Sequence, residues 1–157
     1  MDLKLRHCPQ YPFPDYRYIP GKGLKDEHRR DLPIFKSQKL DSCHWTSNEA
    51  YLYGIDLFNH GFLFEAHEIW EELWFVCGTQ SSEGQFLKSL IQLAAAQLKF
   101  NLNEPRPATR LMESAKKILE KISNEQSETL YMGLSLTNLI EGLKQGQLPS
   151  QLKPSQP

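Results

Sequence analysis

The sequence predicts an all-α fold: a single-domain helical bundle of about five helices behind an extended, Pro-rich N-terminal arm. Three observations carry this. Apolar residues recur at helical spacing through most of residues 46–145. Capping residues, glycines and prolines punctuate that stretch into helix-sized pieces. No segment shows a strong strand pattern of alternating apolar and polar residues.

The 157 residues are most simply one domain. The partition expected is an arm over 1–44, a helical bundle over 45–146 and a flexible tail over 147–157. Hydrophobic content of 39% and charged content of 24% are ordinary for a soluble globular chain. A net charge of −1 and the absence of a basic stripe argue against a nucleic-acid partner. Lys22 to Arg30 is the densest basic stretch, and Asp26 and Glu27 partly neutralise it. Cys8, Cys43 and Cys77 are odd in number and far apart, which speaks against a disulfide framework or a Cys-rich zinc site. Asp2, Lys4, Arg6 and His7 interrupt any apolar signal core, and no run is long enough to span a membrane. A soluble protein of the reducing cytoplasm is expected.

In the arm, Pro9, Pro12, Pro14, Pro20 and Pro33 remove backbone donors and exclude a regular helix. Tyr11, Phe13, Tyr16, Tyr18, Ile19 and Phe35 are apolar anchors that a disordered tail would lack. The arm therefore reads as draped over the helical body, with a strand end or turn at Tyr18 to Gly21.

The first helix starts at a capping box, Thr46-Ser47-Asn48-Glu49, and runs to about Asn59 with Tyr51, Leu52, Ile55 and Phe58 on its core face. Gly61 suits the left-handed stop that follows. The second helix runs from about Phe62 to Cys77, closed by Gly78. Its apolar residues cover about half the circumference, with Phe64 and Phe75 on the other half, so it should be central with neighbours on two faces. Ser82 to Gln85 is a second capping box, opening a third helix to about Asn101. Phe86, Leu87, Leu90, Ile91, Leu93, Ala94, Leu98 and Phe100 form its core face, with Gln97 projecting into it. A fourth helix starts near Pro107 and carries an Ala108, Leu111, Met112, Ala115, Ile118, Leu119, Ile122 stripe. After an irregular stretch the last helix runs from about Leu136 to Gln145, and the tail beyond is expected to fray.

The chemistry is concentrated in residues 58–74, which hold two tryptophans, three phenylalanines, two histidines and four glutamates. His67 and Glu71 are i and i+4, neighbours on one helix face. Glu65, Glu68 and Glu72 occupy an adjoining face. Three readings stand. In the first, His67 and Glu71 ligate a divalent metal, much as the histidines of His-Glu-x-x-His do, with a further ligand from His60, His44, His28 or Gln92. Here Glu71 takes the place of the second histidine, and no second helix offers Glu-x-x-His, which weakens a carboxylate-bridged site built on Glu65 and Glu68. In the second, His67, Glu68 and Glu71 do acid–base catalysis in a pocket walled by Trp70, Trp74 and Phe64. In the third, the histidine and glutamates are structural ties or a solvated face, the tryptophans are core, Asn59 is a helix-end residue, and Gln92 and Gln97 bond between helices.

The run Leu57-Phe58-Asn59-x-Gly61-x-x-Phe64-Glu65-Ala66-His67-Glu68-x-Trp70-Glu71-x-x-Trp74, followed by Leu87-x-x-Leu90-Ile91-Gln92-Leu93-Ala94-Ala95-Ala96, resembles the domain-of-unknown-function 309 family. The resemblance spans roughly residues 47–122, with a weaker echo at Tyr131-Met132-Gly133. It implies a small all-α protein without an assigned activity. The family signature falls here on Asn59, Gly61, Glu65, Ala66, His67, Glu68, Trp70, Glu71, Trp74 and Gln92. Ala50-x-x-x-Gly54-x-x-Leu57 also has the small-residue spacing of a tetratricopeptide helical hairpin, with no second copy about 34 residues on.

The reading that follows is a structural or interaction module built around residues 58–74. Its candidate binding residues are Asn59, Glu65, Trp70, Trp74 and Gln92. The alternative is a metal-binding or acid–base, hydrolase-like enzyme that uses His67, Glu68 and Glu71. No cofactor is identified beyond room for a divalent metal, and a protein partner or a second copy is left open.

Overall fold

The structure is a computed structural model and describes residues 5–21 and 32–155. Among these, a short 3-10 turn, Trp45–Ser47, precedes five helices. They are α1 (Glu49–Asn59), α2 (Leu63–Cys77), α3 (Ser82–Asn101), α4 (Pro105–Glu125) and α5 (Leu136–Lys144). Each helix packs on the next in sequence, so α2 lies between α1 and α3, and α3 between α2 and α4. That is the arrangement short connections impose on antiparallel neighbours. The all-α bundle is as the helical periodicity predicts.

Three helix starts differ from expectation by one or two residues. Asn48, not Thr46, caps α1, its carboxamide oxygen accepting the Tyr51 amide at 3.0 Å. Thr46 and Ser47 belong instead to the 3-10 turn. Ser81, not Ser82, caps α3, accepting the Gly84 amide at 3.0 Å. Pro105 rather than Pro107 opens α4. Near-equivalent capping residues one or two positions apart compete, and the chain entering the helix chooses between them.

Between α1 and α2 the chain turns on Gly61 at φ +84°, with Phe62 N–H donating to the Leu57 carbonyl at 2.8 Å. A left-handed glycine at this place lets the last carbonyls of α1 be satisfied without side-chain strain. The hairpin then closes tightly. Gly54 has no Cβ because the Trp70 indole fills that place: an ideal Cβ would lie 2.0 Å from Trp70 Nε1.

The most enclosed helix is α1, in which residues 51–59 are all buried. The apolar α2 keeps a wet face at Glu72 and at Phe75, which is 65% exposed. Covering α1 are α2, the arm and the tail. Pro14 and Cys8 of the arm are buried, Tyr11 and Phe13 are half-buried against the core, and Phe13 stacks on Phe62 at 5.0 Å. The tail is docked rather than frayed: Leu152 is buried and Ser155 N–H donates to the Gly133 carbonyl at 2.8 Å. Between α4 and α5, Tyr131 and Leu134 exchange two backbone hydrogen bonds around Met132 and Gly133, both at positive φ. That is the tight reversal used by two-residue hairpins. Phe100, expected in the core, stands 36% exposed at the end of α3.

Candidate functional site

Several buried polar residues of α1 and α2 bind backbone. Asp56 is buried within α1, and its two carboxylate oxygens accept the His7 and Cys8 amides, each at 2.7 Å. Arg6 supports the clamp, its Nε 3.6 Å from Asp56 Oδ2 and its guanidinium 3.8 Å from the centre of the Phe13 ring. Tyr53 donates its hydroxyl to the Pro12 carbonyl at 2.9 Å. Tyr51 donates to the Met132 carbonyl at 2.8 Å, and full burial pushes its hydroxyl pKa well up. Asn59 bonds both backbone groups of Leu152. Glu65 is fully buried and accepts the Tyr18 amide at 2.7 Å. A buried anion needs such donors, because burial without them costs several kcal/mol.

The expected solvated glutamate face is therefore divided. Glu65 is enclosed against the arm, Glu68 is nearly buried, and Glu72 is exposed. Trp70 is core: fully buried, it donates Nε1–H to the Tyr51 carbonyl at 3.2 Å and lies 6.1 Å from the Phe58 ring. Trp74 is half-buried beside Phe75 and leaves its Nε1 inside the protein without a hydrogen-bond partner. Gln92 bonds between helices, donating to Ser114 Oγ of α4 at 2.9 Å. Gln97 does not: it bonds Asn101 on its own helix at 3.1 Å, because its end of α3 faces solvent.

The structure brings His67, Glu68 and Glu71 together. Nδ1 of His67 lies 3.8 Å from Glu68 Oε1, and Nε2 lies 3.6 Å from Glu71 Oε2. The histidine side chain is 29% exposed and that of Glu71 40%. Phe64 lies against the ring at 5.7 Å. The other histidines are elsewhere. His60 Nδ1 bonds the Asp56 carbonyl at 2.8 Å and the ring packs on Phe13. His44 pairs with Asp41 on the surface at 2.9 Å. His28, a candidate ligand in the sequence, lies outside the described residues. Three cavities lie away from this cluster: one of about 440 Å³ beside Trp45 and Tyr131, one of about 570 Å³ along Arg106, Arg110 and Lys117, and one of about 400 Å³ between Phe35 and Glu49.

Asp56 escaped the sequence reading. The available signal was a carboxylate inside the otherwise apolar run Ile55 to Phe58, a place an acid occupies only with partners.

The fold and this geometry define a class: a small all-α bundle whose first helical hairpin holds extended chain by its backbone and carries a His–Glu–Glu cluster on α2. The family model described as domain of unknown function (DUF309) matches residues 51–111. That span includes Asn59, the α2 motif and Gln92, and it agrees with the resemblance drawn from the motif. No curated protein matches the chain. No helix among the described residues is long and apolar enough to cross a membrane.

Proposed function

We propose that the chain is an interaction and structural module whose α1–α2 hairpin binds extended polypeptide by its backbone. One observation carries the reading: Asp56 accepts two consecutive arm amides, at His7 and Cys8. Glu65 on Tyr18 and Asn59 on Leu152 repeat the same mode at two other places. Contacts to backbone groups hold a segment whatever its side chains, which suits a surface that takes extended chain. In this chain the occupants are its own arm and tail, and a protein partner or a second copy with a free extended segment would use the same groups. Three unpaired cysteines suit the reducing cytoplasm as its place of work.

Amide hydrogen exchange tests this. In the native chain the His7 and Cys8 amides should be protected. In Asp56→Asn one of the two acceptors is lost, and both amides should exchange faster while those of α3 and α4 keep their protection. Equal protection in the two proteins would remove the basis of the reading.

The acid–base alternative rests on His67 and Glu71. Their 3.6 Å separation is longer than the roughly 2.6–3.2 Å of a working proton-transfer pair. It is the second reading for that reason.

A further inference from the structure

His67 leaves Nδ1 inside the protein with no hydrogen-bond partner. Buried ring nitrogens are normally satisfied, so an orphan one marks a place where a group is wanted. Glu68 Oε1 and Glu71 Oε2 approach the ring at 3.8 and 3.6 Å, too far for good hydrogen bonds. One donor atom from each of the three side chains falls within 4.8 Å of the others. The three side chains converge.

We propose that His67, Glu68 and Glu71 hold a single first-row divalent cation of the zinc or manganese kind. An ion about 2.0–2.2 Å from nitrogen and oxygen donors sets those donors roughly 3–4.4 Å apart. Glu68 approaches Nδ1 and Glu71 approaches Nε2, so a single ion takes one ring nitrogen and the opposite carboxylate swings toward it, from donor atoms that start within 4.8 Å of one another. Helix spacing brings His67 and Glu71 together one turn apart, and Glu68 and Glu71 at i and i+3. Two carboxylates and an imidazole are a donor set that a divalent first-row ion takes. An imidazole among the donors selects against magnesium and calcium, which prefer all-oxygen shells. Three protein ligands leave at least one coordination position for water or a reactant.

Phe64 walls the imidazole on one side. Glu65, which holds the arm, is two residues from His67 and about 200° around the helix. The metal site and the arm clamp are therefore separable.

The test uses full-length protein stripped by a chelator and titrated calorimetrically with Zn²⁺ and, separately, Mn²⁺. Bound metal is counted after gel filtration. One equivalent is expected for the native chain. Glu71→Gln and His67→Gln should each weaken binding by more than about tenfold. Glu113→Gln on α4 should bind as the native chain does. The Glu71 side chain is 40% exposed, so Glu71→Gln decides the question even if circular dichroism shows that His67→Gln does not fold. No stoichiometric binding of either ion overturns the proposal. So does native affinity in folded Glu71→Gln, or an equivalent lost only in Asp41→Asn, which would place the ion on the His44–Asp41 pair. Asp56→Asn should keep the metal, so failure of the module reading and failure of this one are told apart.

Discussion

Asn59 and Leu152 close on each other through both backbone groups. Asn59 Nδ2 donates to the Leu152 carbonyl at 2.8 Å, and Asn59 Oδ1 accepts the Leu152 amide at 2.7 Å. The pair is buried and joins the end of α1 to the tail across 93 residues of sequence. The tail is thus part of the folded body.

Replacing this carboxamide should be costly. Asn59→Ala strands a buried amide and a buried carbonyl, each at about 1–3 kcal/mol. A loss of about 2–4 kcal/mol is expected, read as a fall in melting temperature of roughly 5–15 °C. Deleting residues 151–157 should give a similar fall. The two changes together should cost less than their sum, because both remove the same contact. An Asn59→Ala protein that melts with the native chain would show the clamp to be idle.

Gly54 and Trp70 make a second sharp prediction. A Cβ at Gly54 would collide with the indole nitrogen that bonds the Tyr51 carbonyl. The indole is fully buried and cannot swing away without repacking its surroundings. Gly54→Ala should destabilise by about 3 kcal/mol in urea denaturation. Adding Trp70→Phe to that variant should recover part of the loss, because the smaller ring vacates the contested space. Loss of the same size in the double variant would mean that the collision is elsewhere.

Arm docking should fail in alkali. Burial, then the nearby Asp56 and Glu49 carboxylates, push the Cys8 thiol from 9.0 up to about 12. Burial, as the largest cause, pushes the Tyr53 hydroxyl from 10.0 up to about 12. Both groups fold in their neutral forms with raised pKa. Their contribution is complete below about pH 9 and is lost as pH rises through 9–12. Protease cleavage within the arm should therefore accelerate over that window while α4 stays helical. Arm cleavage that is flat from pH 7 to 11 would contradict it.

The same burial predicts thiol reactivity. Cys8 and Cys77 are buried with raised pKa values, burial being the first cause in each, whereas Cys43 is exposed. Iodoacetamide at pH 8 should label Cys43 alone in the native protein and all three cysteines in urea, counted by mass. Rapid native labelling of Cys8 would mean that the arm is undocked in solution.

Much of the fold was legible in local pattern. Of the α4 stripe, Ala108, Met112, Ala115, Leu119 and Ile122 are buried, and Leu111 and Ile118 are partly buried against the core. The Gly61 turn and the buried Trp70 follow from neighbouring residues alone. The convergence of His67 and Glu71 was visible too, since i and i+4 always meet on a helix. The helix caps were legible only to within a few residues, because adjacent serines, threonines and asparagines offer nearly the same bond.

By itself, then, the sequence determined the all-α class, the five helices and the densest chemical stretch, because side-chain periodicity acts over three or four residues. Only the tertiary structure decided which polar residues are enclosed. Asp56 meets His7 across 49 residues, and Glu65 meets Tyr18 across 47. A carboxylate on a helix looks solvated until the chain that covers it is in place. Its partner is a backbone amide, which every residue but proline carries, and so leaves no trace in the order of side chains.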